Sequence, residues 1–395
     1  MQEQVAGRSI NSAICHNKRT KNSGEDLNRL ERGAAMIVGI PRERKPFEYR
    51  VGLPPAGVQI LTAEQHTVYV EDMAGQGAGF SNDDYIYAGA SIAYSGEELY
   101  HRSDLIVKFA QPVQEETAWM QENQTIAGFL HLAAARQSLF DQLAARKTTA
   151  IAYEQIEDEQ GTRPVLKPLS QIGGRMAAQT AARLMQNDHG GRGILLGGLP
   201  GIPPAEVVII GAGVVGSTAA RSFAGLGAHV TVLDINIQQL FALETTLPNA
   251  CTTMLATKNN LELVASYADV IVGAVLVPGE RAPIVLTEEM VGQMKPQSIL
   301  IDLSIDQGGS SETSRPTTHE NPTYIYKNVI HYCVPNVSGV IGRTASYALY
   351  NGFYPFLLQL ACEGIEDTIK NNKALEKGLN LYHGEIRHLK RLGGI

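Results

Sequence analysis

Three spaced glycines and four scattered polar side chains carry the chemistry in this sequence. The glycines fall in Gly211-Ala-Gly-Val-Val-Gly216, after the apolar run 207–210 and before a helical pattern over 214–226. In that setting the first glycine allows a tight turn and the second admits a pyrophosphate to the backbone. The third lets helix and strand touch. Backbone N–H groups around Val214 and Val215, at the start of the helix, then meet the phosphates. Asp234 closes the next apolar run, 23 residues after Gly211. A carboxylate there accepts hydrogen bonds from ribose hydroxyls and repels a 2′-phosphate, which predicts NAD rather than NADP. No Arg follows at 235–240 to reverse that preference. The bland readings are a structural turn and a solvated acid; the strand–turn–helix context argues against both.

A dinucleotide fold names no reaction. His131 lies in Ile126-Ala-Gly-Phe-Leu-His-Leu-Ala-Ala, Lys108 ends Asp-Leu-Ile-Val-Lys, Arg50 lies in Glu48-Tyr-Arg-Val, and Asp306 lies in Leu303-Ser-Ile-Asp-Gln-Gly-Gly. Each has an ordinary reading: a core histidine held by backbone, a snorkelling lysine, a surface arginine, a turn-forming aspartate. Three of the four sit at or just beyond the carboxyl end of a predicted strand, where open α/β sheets bind ligands. An Arg and a Lys can hold a carboxylate, the Arg in bidentate fashion. A His moves protons near neutrality. An Asp across the cleft can orient water or ammonia. The set suits oxidation of a small amino or hydroxy acid, and spacing alone does not separate the two.

The elements that must position these groups alternate. Strands are predicted at 36–40, 67–71, 104–109, 125–129 and 149–153, then at 207–210, 229–233, 270–275 and 298–303. Helices are predicted at 55–65, 133–145, 169–186 and 344–360, the last as a buried or interface helix. The tail 365–392 reads as a solvated packing helix. Short apolar runs between amphipathic helices mean βαβ units and parallel sheets. The expected fold class is therefore α/β.

Composition limits the partners. The 395 residues carry 33 Lys plus Arg against 40 Asp plus Glu, a net charge of −7, which argues against nucleic acid. The four cysteines, Cys15, Cys251, Cys333 and Cys362, show no Cys-x-x-Cys spacing. Neither a disulfide framework nor a metal site is expected, and a reducing cytoplasm suits them. No membrane span or secretory signal is expected. Residues 1–35 are polar and aperiodic, and read as a disordered or variable extension.

Longer stretches resemble a known family. They include Val38-Gly-Ile-Pro-Arg-Glu, Phe129-Leu-His-Leu-Ala, Ser170-Gln-Ile-Gly-Gly-Arg175, Gly190-Gly-Arg-Gly-Ile-Leu-Leu-Gly-Gly198 and Gly273-Ala-Val-Leu-Val-Pro-Gly279. Others are Ile305-Asp-Gln-Gly-Gly, Glu312-Thr-Ser-Arg-Pro-Thr-Thr-His319 and His331-Tyr-Cys-Val. From residue 36 to about 385 the chain resembles the alanine dehydrogenase family, which also holds the NAD-binding subunit of proton-translocating transhydrogenase. The resemblance implies that His131 is the acid/base and Asp306 the second catalytic residue, with Arg50 and Lys108 holding the substrate carboxylate and carbonyl. It implies cofactor contacts at Ser170, Gly211, Gly213, Val214, Val215, Gly216, Asp234, Val275, Leu276, Asn336 and Val337. It also implies NAD as cofactor, L-alanine, pyruvate and ammonium as substrates, and a homo-hexamer. Alternatives are a dehydrogenase of another small amino acid and a transhydrogenase-type subunit.

The expected architecture is two doubly wound parallel-sheet domains. A Rossmann NAD-binding domain, 166–337, is inserted in a discontinuous catalytic domain, 36–165 plus 338–395. The chain departs from the family at Ser310, where Cys is usual. It departs further at Asn336-Val-Ser-Gly-Val-Ile-Gly342, where the family has Asn-Met-Pro-Gly-Ala-Val-Pro. Two lost prolines predict a more mobile loop.

Overall fold

Continuous apolar runs with a helical segment between them can bury both faces only in a parallel sheet covered on each side. The computed structural model, which describes residues 35–277 and 281–389, contains two such sheets. The strands are β1 (Ile37–Ile40), β2 (Thr67–Glu71), β3 (Ser91–Ala93), β4 (Leu105–Ala110), β5 (Thr125–Phe129), β6 (Thr149–Ala152), β7 (Glu206–Ile210) and β8 (His229–Asp234). They continue with β9 (Thr252–Leu255), β10 (Val270–Gly273), β11 (Ile299–Asp302), β12 (Thr323–Tyr326), β13 (Val329–Tyr332), β14 (Leu379–Tyr382) and β15 (Glu385–Ile386).

The first sheet runs β15-β14-β6-β5-β4-β1-β2-β3 and the second β12-β13-β11-β10-β7-β8-β9. The pairings are parallel except at one edge of each. There β14 runs antiparallel to β6 and β15, and β12 antiparallel to β13. The expected doubly wound parallel sheets are present, with antiparallel strands added at those edges. Strands β4, β5, β7 and β10 are buried almost throughout. Each fully buried Val, Leu or Ile on them contributes about 1.5–3 kcal/mol.

The long helix Gly342–Glu363 sends Ala345, Leu349, Phe353 and Leu357 into the core of the first sheet, which settles its apolar character as core burial. The helix Leu166–Leu184 buries Ala177, Ala178 and Ala181 in the core of the second. The tail departs from the expected helix. Two short helices, Ile365–Asn371 and Lys373–Lys377, lead into the β14–β15 hairpin. Pairing of Leu379 and Leu381 with β6 overrides the helical spacing of the tail leucines. The extension expected over residues 1–35 lies, up to residue 34, outside the described residues. No helix among the described residues is long and apolar enough to cross a membrane.

Candidate active site

The nucleotide end is built from backbone. Gly211 takes φ +105°, a left-handed conformation that side chains resist, and turns the chain out of β7. A Cβ on Gly216 would lie 1.7 Å from the Gly211 carbonyl oxygen, so turn and helix are in contact and only glycine is tolerated. Gly213 is the opposite case: a Cβ there would meet nothing within 4 Å. The helix Val214–Gly225 that follows has no side-chain N-cap and no acid in its first turn. Its first N–H groups and its positive dipole end are left for an anion. Asp234 reaches back into this turn, accepting from Ala212 N at 2.6 Å and from Asn236 N at 2.7 Å. An open space over a glycine turn, an uncapped helix start and a strand-end carboxylate together suit a dinucleotide such as NAD.

The other expected cofactor contacts surround this turn. Val275 donates its N–H to Ser304 Oγ at 3.1 Å, and that hydroxyl donates back to the Val275 carbonyl at 2.8 Å. This ties the ends of β10 and β11 together. Leu276 is half exposed beside them. Ser170 is partly buried on the helix Leu166–Leu184, and Val337 approaches Gly173 of the same helix.

The second end is built from charge. Arg50 is buried, and its Cζ lies 3.7 Å from the centre of the Phe109 ring. Phe109 meets Phe129, with ring centroids 5.5 Å apart, and Phe129 stacks on His131 at 6.2 Å. An aromatic ladder thus joins the guanidinium to the imidazole. The Arg50 fork is spent on protein: Nε donates to Glu48 Oε1 at 2.6 Å and Nη2 to Glu48 Oε2 and Asn336 Oδ1. Nη1 donates to Ser338 Oγ at 2.8 Å. The expected free bidentate fork is therefore corrected; Glu48 occupies it. A cleft of about 460 Å³ opens here, with Glu43, Glu48 and Arg50 on one wall and Met73 to Gly77 on the other.

His131 follows β5 in a left-handed conformation, φ +45°. Its side chain is 62% exposed, which excludes the core-histidine reading. Glu154 holds it, accepting from the His131 backbone N–H at 2.7 Å with Nδ1 3.7 Å away. A non-glycine residue held at positive φ is strained, and such strain gathers at functional sites. Asp306 lies in the single turn Ile305–Gln307 that follows β11. Its carboxyl is raised above the usual range by desolvation, against the lowering pull of His131, the Asn336 N–H and Arg50. The Asn336 backbone N–H donates to Asp306 Oδ1 at 3.3 Å.

One expected placement differs. Lys108 is wholly buried, its ammonium 2.7 Å from Glu116 and 3.1 Å from Glu43. All of β4 is interior, so a lysine there needs carboxylate partners in place of substrate. Burial works against its charge, and the two glutamates outweigh it and raise the pKa. The Asn336 side chain accepts from Arg50 and donates to Glu48 at 3.0 Å, while its backbone serves Asp306. Arg50, His131, Asp306 and Asn336 are thus brought together from both sheets.

Sequence reasoning missed Glu43, Glu48, Glu116, Glu154 and Ser338. The signals were faint: a glutamate two residues before Arg50, and an apolar strand whose lysine demanded a buried carboxylate.

The N-terminal domain of the Alanine dehydrogenase/PNT family matches residues 39–173 and its C-terminal domain residues 177–389. The chain belongs to the alanine dehydrogenase/PNT family. An alanine dehydrogenase of Methanococcus maripaludis is 42% identical over 354 residues, 89% of this chain and 95% of that protein. One of Mycolicibacterium smegmatis is 43% identical over 351 residues, 89% and 94%. A solved L-alanine dehydrogenase superposes with a TM-score of 0.86 at 42% identity, covering 89% of this chain and 97% of that one. A transhydrogenase from Sinorhizobium meliloti, at 22% identity and a TM-score of 0.76, shares the fold, covering 89% and 100%.

Proposed function

We propose that this chain interconverts L-alanine, NAD and water with pyruvate, ammonium and NADH. The observation that carries the reading is that Asp306, after a strand of the second sheet, lies within electrostatic reach of both His131 and Arg50, which follow strands of the first. Membership of the family and the likeness to alanine dehydrogenases support the substrate. Gly211, Gly213 and the N–H groups at the start of the helix Val214–Gly225 would hold NAD, which would supply the hydride acceptor. Arg50, fixed by Glu48, turns its one uncommitted Nη1 proton to the substrate carboxylate. His131, oriented by Glu154, takes a proton from the water that adds to the substrate imine and returns it as ammonia leaves. One such acid/base is worth about 10²–10⁴ in rate. Asp306 supports positive charge on the nitrogen or on His131. Lys108 acts from behind, keeping Glu43 and Glu116 in place around the cleft.

We assign residues 36–165 and 338–395 to the substrate domain and 166–337 to the NAD domain. We place the protein in the cytoplasm as a homo-hexamer, following the family resemblance. The test is oxidation of NADH by the purified chain with pyruvate and ammonium. Turnover is expected, and NADPH should support far less. Binding of NADH without turnover of any 2-oxo acid would sink the reading.

A further inference from the structure

The structure assigns Ser338 a part in substrate binding: its hydroxyl, beside Arg50 Nη1, donates to the substrate carboxylate. The assignment rests on the reading of the substrate as an α-amino acid or 2-oxo acid. Arginine has five N–H donors. In Arg50 one goes from Nε and two from Nη2 to Glu48 and Asn336, and one from Nη1 goes to Ser338 Oγ. A single Nη1 proton is left. One N–H alone is a poor holder for the two oxygens of a carboxylate.

Ser338 supplies the missing partner. Its Oγ accepts from Arg50, so its own proton is directed away from Nη1, and it has no acceptor among the described residues. The residue is only 8% exposed. A buried hydroxyl proton without an acceptor is unfavourable, and a substrate oxygen would relieve it. Nη1 and Oγ lie 2.8 Å apart, a spacing suited to two oxygens of one carboxylate.

The neighbourhood fixes where this pair sits. Ser338 belongs to the single turn Val337–Val340, and Tyr49 N donates to Gly339 O at 3.2 Å. The loop is thus pinned to the segment that carries Arg50. The preceding residue, Asn336, donates its N–H to Asp306. Both donors are therefore anchored next to the groups that handle the substrate nitrogen.

The experiment measures KM and kcat for pyruvate, with ammonium and NADH, and NADH affinity by fluorescence, in wild type, Ser338→Ala and Ser338→Thr. Loss of one hydrogen bond to a charged group corresponds to roughly a tenfold or larger rise in KM. Ser338→Ala is expected to show it, with kcat moving less and NADH affinity unchanged. Ser338→Thr, which keeps the hydroxyl, is expected to recover most of the loss. An unchanged KM in Ser338→Ala overturns the assignment, as does an equal weakening of NADH or a Thr variant as impaired as Ala. A wild-type chain inert toward every 2-oxo acid overturns the parent reading instead.

Discussion

The two sheets repeat one strand order and use it for opposite chemistry. Within the first, β3-β2-β1-β4-β5-β6 has the same succession as β9-β8-β7-β10-β11-β13 in the second. Both reverse direction at a switch point, between β1 and β4 and between β7 and β10, where open α/β sheets bind ligands. At the second switch point the chain offers bare backbone: a glycine turn, an open face above Gly213 and an uncapped helix. At the first, no glycine turn follows β1. The chain runs through Arg42, Glu43, Arg44, Glu48 and Arg50 before the helix Pro55–Ala63, and Lys108 answers from β4. One crevice suits an anionic cofactor through neutral donors. The other suits a small zwitterion through paired ions. Topology selects the place, and the loop chemistry selects the ligand.

That contrast can be broken most sharply at His131. His131→Ala should lower kcat about 10²–10⁴-fold while NADH titrates as in wild type. A near-normal kcat would remove the first crevice from the chemistry. Lys108→Met should cost about 3–5 kcal/mol, because Glu43 is left buried without its cation while Glu116 keeps Arg44. The loss of thermal stability should be larger at pH 8 than at pH 5, because burial already raises the Glu43 carboxyl and a proton can there replace the lost cation. A variant as stable as wild type would show that the ionic crevice does not depend on this pair. Gly216→Ala should act on the other crevice, weakening NADH and destabilising the fold by about 1–3 kcal/mol through the clash with Gly211. Intact NADH binding in a titration would contradict the tight turn.

The smallest effect concerns Asp306 and stability. Its carboxyl is raised from 3.8 by desolvation. The folded state thus binds the proton more tightly than the unfolded state, and stability falls as pH rises from about that value through the folded pKa. Asp306→Asn removes this loss. The variant should melt no lower than wild type at pH 7, relative to its position at pH 4, even though its turnover collapses. A lower relative melting temperature at pH 7 would reverse the sign.

Local chemistry was legible in the sequence and distant pairing was not. The strands β2 and β5 and the glycine turn are set by contiguous apolar runs and turn residues, and the structure places them at the residues expected. The edge strands β3, β9 and β12 escaped because they are three or four residues long and only partly buried. The hairpin β14–β15 escaped for another reason. Its tail leucines repeat at helical spacing, and only β6, far upstream, makes them a strand. At the site, Arg50, His131 and Asp306 stood out as charges in apolar surroundings. Their partners did not. Glu48 and Glu154 are ordinary surface-looking acids until folding turns them inward, and Ser338 gains its role only from a guanidinium 288 positions away. The loop expected to loosen without its prolines is instead pinned by Tyr49 and Arg50.

The return of the chain to its first sheet has a bearing on birth as well as on architecture. Strand β6 receives β14, and the hydrophobic core around β1, β4 and β5 receives Leu349 and Phe353. During translation this core must wait, partly uncovered, while the whole intervening sheet emerges and folds as a contiguous unit. The nucleotide-type sheet is therefore positioned to mature first on the ribosome. The first sheet is completed only when β14 arrives.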